Sequence, residues 1–255
     1  MQKLKAIAVN TFRETVRDKI LYNLVFFALL LIALSYLLRT LDILQEAKII
    51  VDISLASISL FGVFIAIFVG VGLVYKEINR RTIFAIVAKP ISRPQFLVAK
   101  YLGLILTILV NVSVMTAGMY LVLLFTERGL DLSLLKAVLL TCVELMVVTA
   151  IALFFSTFTT STLSAIFTLA VFIIGSLSQE LRLLAEKTGS EALRLLLELL
   201  YYGLPNLGNF NLRAEAVHHV PVPVQSLVAP LAYGATYVLL TLGLSCLIFW
   251  RRDFK

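Results

Sequence analysis

Residues 76–100, KEINRRTIFAIVAKPISRPQFLVAK, separate two long apolar runs and carry six basic residues against one acidic residue. Residues 76–88 contain neither Gly nor Pro and are long enough for about three turns of helix. Pro90 cannot continue that helix and biases Lys89 toward extended backbone. The stretch therefore begins as a short amphipathic helix and is then broken sharply.

A second helix start follows the break. Residues 92–95, SRPQ, fit a capping box, and Pro94 is tolerated in a first helical turn because its missing N–H needs no partner there. From the residues alone, two interpretations carry equal weight. The basic residues fix membrane topology, or the hairpin positions a surface for another molecule to contact.

The composition is that of a membrane protein. The chain has 255 residues, of which 60% are hydrophobic and 15% charged, and its mean hydropathy is +1.00. Soluble domains have about a quarter of their residues charged. The net charge of +7 is then better explained by membrane orientation and anionic headgroups than by nucleic acid.

The apolar runs predict an all-α polytopic fold. A spanning helix needs about 20 mostly apolar residues. Six runs meet or approach that length, and with no linker or repeat between them we predict one domain over residues 1–255. The third run is long enough to tilt or project from the bilayer, and the fifth has a gradual boundary. The six runs are 20–38, 53–75, 96–125, 134–155, 161–179 and 231–250.

Residues 1–19 predict an amphipathic helix in the membrane interface. Ile7, Val9, Phe12 and Val16 recur at roughly helical spacing among basic residues. The alternative is the basic region of a signal peptide. No small-residue cleavage site follows the first apolar run, which favours an uncleaved span.

Loop charges predict the orientation. The N-terminal segment, the loop up to Lys100, the 156–160 linker and the C-terminal residues carry 14 basic and 4 acidic residues. The opposite loops carry 8 basic and 10 acidic residues. The positive-inside rule places both termini and the 76–95 loop in the cytoplasm.

Residues 180–230 form the largest extracytoplasmic piece in this topology. Residues 188–191, TGSE, fit a capping box that opens a helix with Glu191, Arg194 and Glu198 along one stripe and leucines elsewhere. Such a helix should lie on the membrane or pack against the spans. Irregular backbone with two prolines follows it.

The 76–100 stretch resembles the cytoplasmic loop of ABC-2 type transporter permeases, the membrane subunits of ATP-driven exporters. The likeness covers most of the chain. It includes TFRETVRDKILYNL (11–24), ASISLFGVFIAIFVGVGLVYKE (56–77) and LYYGLPNLGNFNLRAEAVH (200–218). The chain is similar to six-span permeases encoded apart from their ATPase, such as those of copper-enzyme maturation and gliding motility systems.

The resemblance implies a role for the loop. In that family the segment after the second span supplies a coupling helix that docks on the nucleotide-binding subunit, and the N-terminal helix is an elbow. Carried over by position, the residues that begin the coupling helix are Glu77, Arg80, Arg81 and Thr82. The residues among its contacts with the ATPase are Ile83 and Phe84. The residues that shape the return to the membrane are Lys89, Pro90 and Arg93.

Two features inside the spans are further candidates. Glu144 is the one acid well inside a predicted span, and it serves either a cargo path or dimer seam, or a structural hydrogen bond to neighbouring Ser or Thr. Gly62, Ala66 and Gly70 form a line of small residues that permits close helix packing. We assign this line to helix packing, and less readily to a dimer seam.

The sequence lacks the motifs of an enzyme. It contains no GxxxxGK[ST] phosphate loop, no HExxH and no GxSxG. His218 and His219 are adjacent, and neighbouring side chains on extended backbone point in opposite directions, so we predict no metal site. We expect no catalytic residue and no bound cofactor in this chain; ATP and Mg²⁺ belong to the partner subunit.

Three functions compete. The first is the permease of an ABC exporter, a homodimer with two separate ATPase subunits, in a prokaryotic inner membrane, bacterial or archaeal. The second is a mechanotransmission complex that acts on an extracytoplasmic partner without moving cargo. The third is an ion-coupled carrier, for which a single intramembrane acid is thin support.

Overall fold

The computed structural model describes residues 2–38, 46–79, 93–125, 131–218 and 220–251. All regular elements in these ranges are helical, and a short 3₁₀ turn, Leu207–Phe210, lies between α8 and α9. The prediction of an all-α polytopic membrane protein is confirmed. The helices are α1 Gln2–Val16, α2 Lys19–Leu38, α3 Glu46–Asn79, α4 Arg93–Leu123, α5 Leu134–Ser156, α6 Ser161–Ser176, α7 Ser178–Lys187, α8 Glu191–Gly203, α9 Arg213–Val217 and α10 Gln225–Arg251.

Five of these helices are long and apolar enough to cross a membrane: α2, α3, α4, α5 and α10. The predicted boundaries of α2, α4 and α5 agree with the structure to within three residues. The other two helices are longer than predicted. Helix α3 begins at Glu46 rather than residue 53, and α10 begins at Gln225 and continues through Pro230.

The predicted fifth span, 161–179, is not one straight helix. Helix α6 ends at Ser176, and α7 leaves it at 62°, so a sixth span exists only as this bent pair. Gly175 lies at the bend, where a Cβ atom would come within 2.5 Å of the Pro205 carbonyl oxygen. Ser178 donates a 2.5 Å hydrogen bond to the Asn206 side chain. The bend is therefore held by the chain that follows α8, which local hydropathy does not reveal.

Helices α3, α4 and α5 form the centre of the bundle. Their buried side chains include Ile58, Met115 and Leu145, each less than 1% exposed. The Tyr101 hydroxyl of α4 donates a 3.1 Å hydrogen bond to the Met146 carbonyl oxygen of α5. Apolar burial of this extent, and not membrane insertion alone, positions the elements around the bundle.

The bundle has two ends, which we call proximal and distal, and each is defined by the elements that lie there. The proximal end carries α1, the start of α4 and the end of α5. The distal end carries α7 to α9 and the starts of α3, α5 and α10. Lys136 near the start of α5 donates a 2.6 Å hydrogen bond to the Val222 carbonyl oxygen, and the Asn206 N–H donates one of 2.9 Å to the Tyr233 hydroxyl. These bonds fasten the distal segment to the spans.

Helices α7 and α8 pack against each other as a hairpin. The predicted helix over 191–202 is present, but its predicted capping box is wrong. Ser190, and not Thr188, is the N-cap residue of α8, and its side chain makes no capping hydrogen bond. Thr188 is the C-cap residue of α7. Arg194 donates a 2.8 Å hydrogen bond to Glu198, and this bond raises the pKa of the Arg194 guanidinium. The predicted charged stripe therefore lies along one face of α8.

Candidate functional site: the proximal loop and a distal cavity

The described part of the proposed ATPase-docking loop is limited to its two ends. Glu77 lies in the last turn of α3, which runs on without a break to Asn79, and Arg93 is the first residue of α4. Residues 77–79, at the predicted start of the coupling helix, are thus continuous with the second span. The remaining predicted docking residues fall outside the described ranges. They are Arg80, Arg81, Thr82, Ile83, Phe84, Lys89 and Pro90.

The α4 flank of this loop is anchored at the proximal end by close contact between α1 and α4. A Cβ atom on Gly103 of α4 would lie 2.6 Å from the Ala8 carbonyl oxygen and 2.6 Å from the Thr11 Cβ atom. Thr11 and Thr15 are buried, and their hydroxyls donate to backbone carbonyl oxygens one turn earlier in α1. The predicted interfacial helix is therefore a helix that packs firmly against α4.

Lys100 is the functional candidate that the sequence interpretation missed. Its side chain is 2% exposed, and its ammonium lies 3.8 Å from a Glu14 carboxylate oxygen of α1 and 5.8 Å from the centre of the Phe96 ring. The sequence signal was its position inside the predicted span 96–125, where a buried charge usually has a specific reason. It was instead counted among the loop charges that set orientation.

The predicted small-residue line faces α5 of the same chain. A Cβ atom on Gly62 would lie 2.5 Å from a Leu145 methyl carbon, and one on Gly70 would lie 3.3 Å from the Ala152 Cβ atom. Ala66, between them, is 1% exposed. The small side chains let α3 and α5 approach closely, which lipid alone does not drive.

A cavity of about 360 Å³ opens at the distal end between α3, α5, α6 and the segment 207–213. Its walls combine apolar side chains with hydroxyl, amide, carboxyl and guanidinium groups. This volume lies within the usual range of small-molecule sites, about 300–1,000 Å³. The polar groups that line it are those of Ser59, Thr141, Glu144, Ser176, Asn211 and Arg213.

Glu144 lines this cavity within the span α5. It is 7% exposed, and its carboxylate accepts a hydrogen bond of 3.4 Å from the Ser59 hydroxyl of α3. Within the described ranges no Lys or Arg forms an ion pair with it. The structure thus gives Glu144 both a serine neighbour, as a structural role requires, and access to a cavity, as a binding role requires.

An ion pair lies beside the cavity. Arg213 of α9 forms two hydrogen bonds with the Asp52 carboxylate of α3, one of them 2.6 Å from Nη2 to Oδ2. The Arg213 N–H also donates a 3.0 Å bond to the Asn211 side chain. Asp52 and Arg213 are 161 residues apart, and neither position carries a local motif that predicts the pairing.

In the part of the chain that the structure describes, His, Cys, Asp and Glu side chains form no group of three that could hold a metal ion. Cys142 and Cys246 are both free thiols within spans. The candidate features that the structure describes are the two ends of the docking loop, the buried Lys100 and the cavity that Glu144 lines.

Comparison with protein families gives a match over nearly the whole chain. The family model of the ABC-2 family transporter proteins matches residues 5–254. A search of curated proteins found no match. The family match begins within α1 and extends past the end of α10, so it covers all the other elements described above.

Proposed function

Because the chain belongs to the ABC-2 transporter family, we propose that it couples ATP hydrolysis by a separately encoded nucleotide-binding subunit to export, or to conformational work, across the membrane. The single observation that carries this proposal is the family match over residues 5–254. It makes the chain an ABC permease and an integral multi-pass membrane protein. The coupling to ATP hydrolysis and the association with a partner ATPase need testing.

The helices on either side of the loop support the proposal. Helix α3 runs seven residues beyond its apolar stretch Lys48–Gly72, which is about 10 Å of additional helix. Both α3 and α4 pack into the centre of the bundle. A force applied between Asn79 and Arg93 would therefore act on two core helices at once.

We place ATP and Mg²⁺ on the partner subunit, since the chain has no phosphate-binding loop. We also propose that two copies of the chain assemble with two ATPase subunits. Helices α2 and α10 are the least buried of the five spans, and their faces are available to lipid or to a second copy. The charge asymmetry of the loops supports cytoplasmic termini. We propose a prokaryotic inner membrane because of the family resemblance and the small loops.

The proposal is tested by co-purification of the complex. Ile83→Asp/Phe84→Asp places two charges where the docking contact is proposed, so we expect loss of the ATPase from the purified permease. The matched control is Leu132→Asp/Val224→Asp, which adds the same charge at exposed distal positions. Retention of the ATPase by the Ile83/Phe84 variant, or equal loss in the control, would reject the docking assignment.

The distal hairpin favours a second candidate, mechanotransmission to an extracytoplasmic partner. None of the residues in α8 is buried, and Leu195 and Leu199 are more than 60% exposed. ATP hydrolysis by the reconstituted complex separates the two candidates. If the chain is an exporter, cargo should stimulate ATP hydrolysis. If it is a transmission protein, the extracytoplasmic partner alone should stimulate ATP hydrolysis, and Leu195→Ser/Leu199→Ser should abolish that stimulation.

A further inference from the structure

The distal cavity has an electrostatic character that the family match does not assign. Glu144 lies ten residues into α5, about 15 Å along the helix from its distal start at Leu134. Asp52 and Ser59 are seven residues apart on α3, so the Asp52–Arg213 pair lies about 10 Å nearer to the distal end than the Ser59–Glu144 contact. The cavity thus has a carboxyl deep in the bundle and a neutralised ion pair toward its distal end.

The deep end suits a hydrogen-bond donor with positive charge. Glu144 accepts one weak hydrogen bond from Ser59, and it has no basic partner among the described residues. Thr141 donates its hydroxyl hydrogen to the Ala137 carbonyl oxygen, which leaves the Thr141 oxygen able to accept. An ammonium group has three donors and no acceptor. Glu144, Ser59 and Thr141 offer it acceptor oxygens from three side chains.

The remaining walls suit an apolar body. Leu60, Phe172, Leu207 and Leu212 line the cavity beside these polar groups. A divalent metal cation is disfavoured, because Glu144 is the one carboxylate among the lining residues and such cations usually take several oxygen ligands that include more than one carboxylate. An anion is disfavoured as well, since the one guanidinium on the cavity wall, Arg213, is already paired with Asp52.

We propose that this cavity binds a small amphiphilic amine, with its ammonium group at Glu144 and Ser59 and its apolar body between α3, α6 and the 207–212 segment. Binding itself requires only this chain. That the amine is cargo, or a regulator of transport, rests on the proposed function. Glu144 and Ser59 are then binding residues, and the Ser59 hydroxyl also positions the Glu144 carboxylate.

The test compares two probes that differ only in charge, 3-phenylpropylamine and 3-phenylpropan-1-ol. Binding is measured by calorimetry on the full chain in lipid nanodiscs, with empty nanodiscs subtracted. Glu144→Gln keeps the side-chain shape and an acceptor for Ser59 but removes the charge. We expect about a tenfold or greater loss of amine affinity and less than about a twofold change for the alcohol.

Two further variants keep the test decisive. Glu215→Gln removes the same charge on α9, where Glu215 does not line the cavity, and should leave both affinities unchanged. Ala56→Phe fills the cavity and keeps Glu144, so both probes should lose binding. The inference is overturned by an absence of saturable amine binding to the natural chain. It is also overturned by equal losses of the two probes in Glu144→Gln, or by unchanged binding in Ala56→Phe.

The outcome is independent of the ATPase-docking test. Amine binding that depends on Glu144 in a chain that captures no ATPase would sustain this site and reject the proposed coupling. Capture of the ATPase that depends on Ile83 and Phe84, without amine binding, would sustain the proposed coupling and reject the amine site.

Discussion

Helices α1 and α8 look alike in the sequence and differ in the structure. Both are amphipathic segments outside the long apolar runs. Helix α1 is predicted to lie in the membrane interface, and α8 is predicted to lie on the membrane or to pack against the spans. Thr11 and Thr15 of α1 are buried against α4, whereas α8 has no buried residue and packs mainly on α7. Tyr202 at the end of α8 is 81% exposed.

The difference shows what amphipathicity leaves open. The buried line of α1 consists of small polar residues opposite Gly103, while Val9 of its predicted apolar stripe is 42% exposed. Size, rather than hydrophobicity, decides which face of α1 meets α4, since close approach between helices requires small residues. Helix α8 has a leucine face but no glycine opposite it, and it stays on the outside of the bundle.

The strongest test of this comparison is Gly103→Ala. The added methyl group would lie 2.6 Å from the Ala8 carbonyl oxygen, a backbone atom that cannot turn away. We expect the free energy of unfolding to fall by about 1–3 kcal/mol, as for other overpacked sites. Denaturation in mixed micelles, followed by circular dichroism, measures it. Gly243→Ala is the control, because a Cβ atom there meets nothing within 4 Å. Equal stability of the two variants would mean that α1 is not docked on α4 in this way.

A smaller effect is expected at the ion pair between α1 and α4. Glu14 is 44% exposed, so solvent screens its attraction to the buried Lys100. Glu14→Gln should lower the free energy of unfolding by about 0.5–1 kcal/mol. The same change made in a Lys100→Met background should have no effect, because the partner charge is gone. If Glu14→Gln lowered the free energy of unfolding by the same amount in the Lys100→Met background, Glu14 would act through another group.

The smallest effect is expected on α8. Leu195→Ser/Leu199→Ser removes two apolar side chains that the bundle does not cover, so the free energy of unfolding in micelles should change by no more than about 0.5 kcal/mol. A loss as large as that of Gly103→Ala would place this face in a packed interface, and the contrast between α1 and α8 would then disappear.

The sequence was sufficient for most of the spanning helices and insufficient for their contacts. Apolar runs long enough to span a bilayer predicted α2, α4 and α5 closely, because insertion depends on local composition. The bend at Leu177 depends on Pro205 and Asn206, and the cavity depends on residues from four separate elements. Such contacts join residues far apart in the chain, so no local pattern predicts them.

The candidate residues also differ in whether a local pattern in the sequence predicts them. Glu144 was predicted from its charge within a span, and the structure adds the cavity that this residue lines. Arg213 and Asp52 carried no signal, because neither is unusual in a loop or at a helix end. Lys100 carried a signal that was attributed to topology, and its burial against α1 shows that a basic residue near a membrane can also serve packing.

Site-specific photo-crosslinking in the assembled complex tests the central claim, that a separate ATPase grips the loop between α3 and α4. A photoreactive amino acid at Phe84 should crosslink to the ATPase subunit, and one at Leu132, at the opposite end of the bundle, should not. Absence of the Phe84 crosslink, or a crosslink from Leu132, would contradict the account.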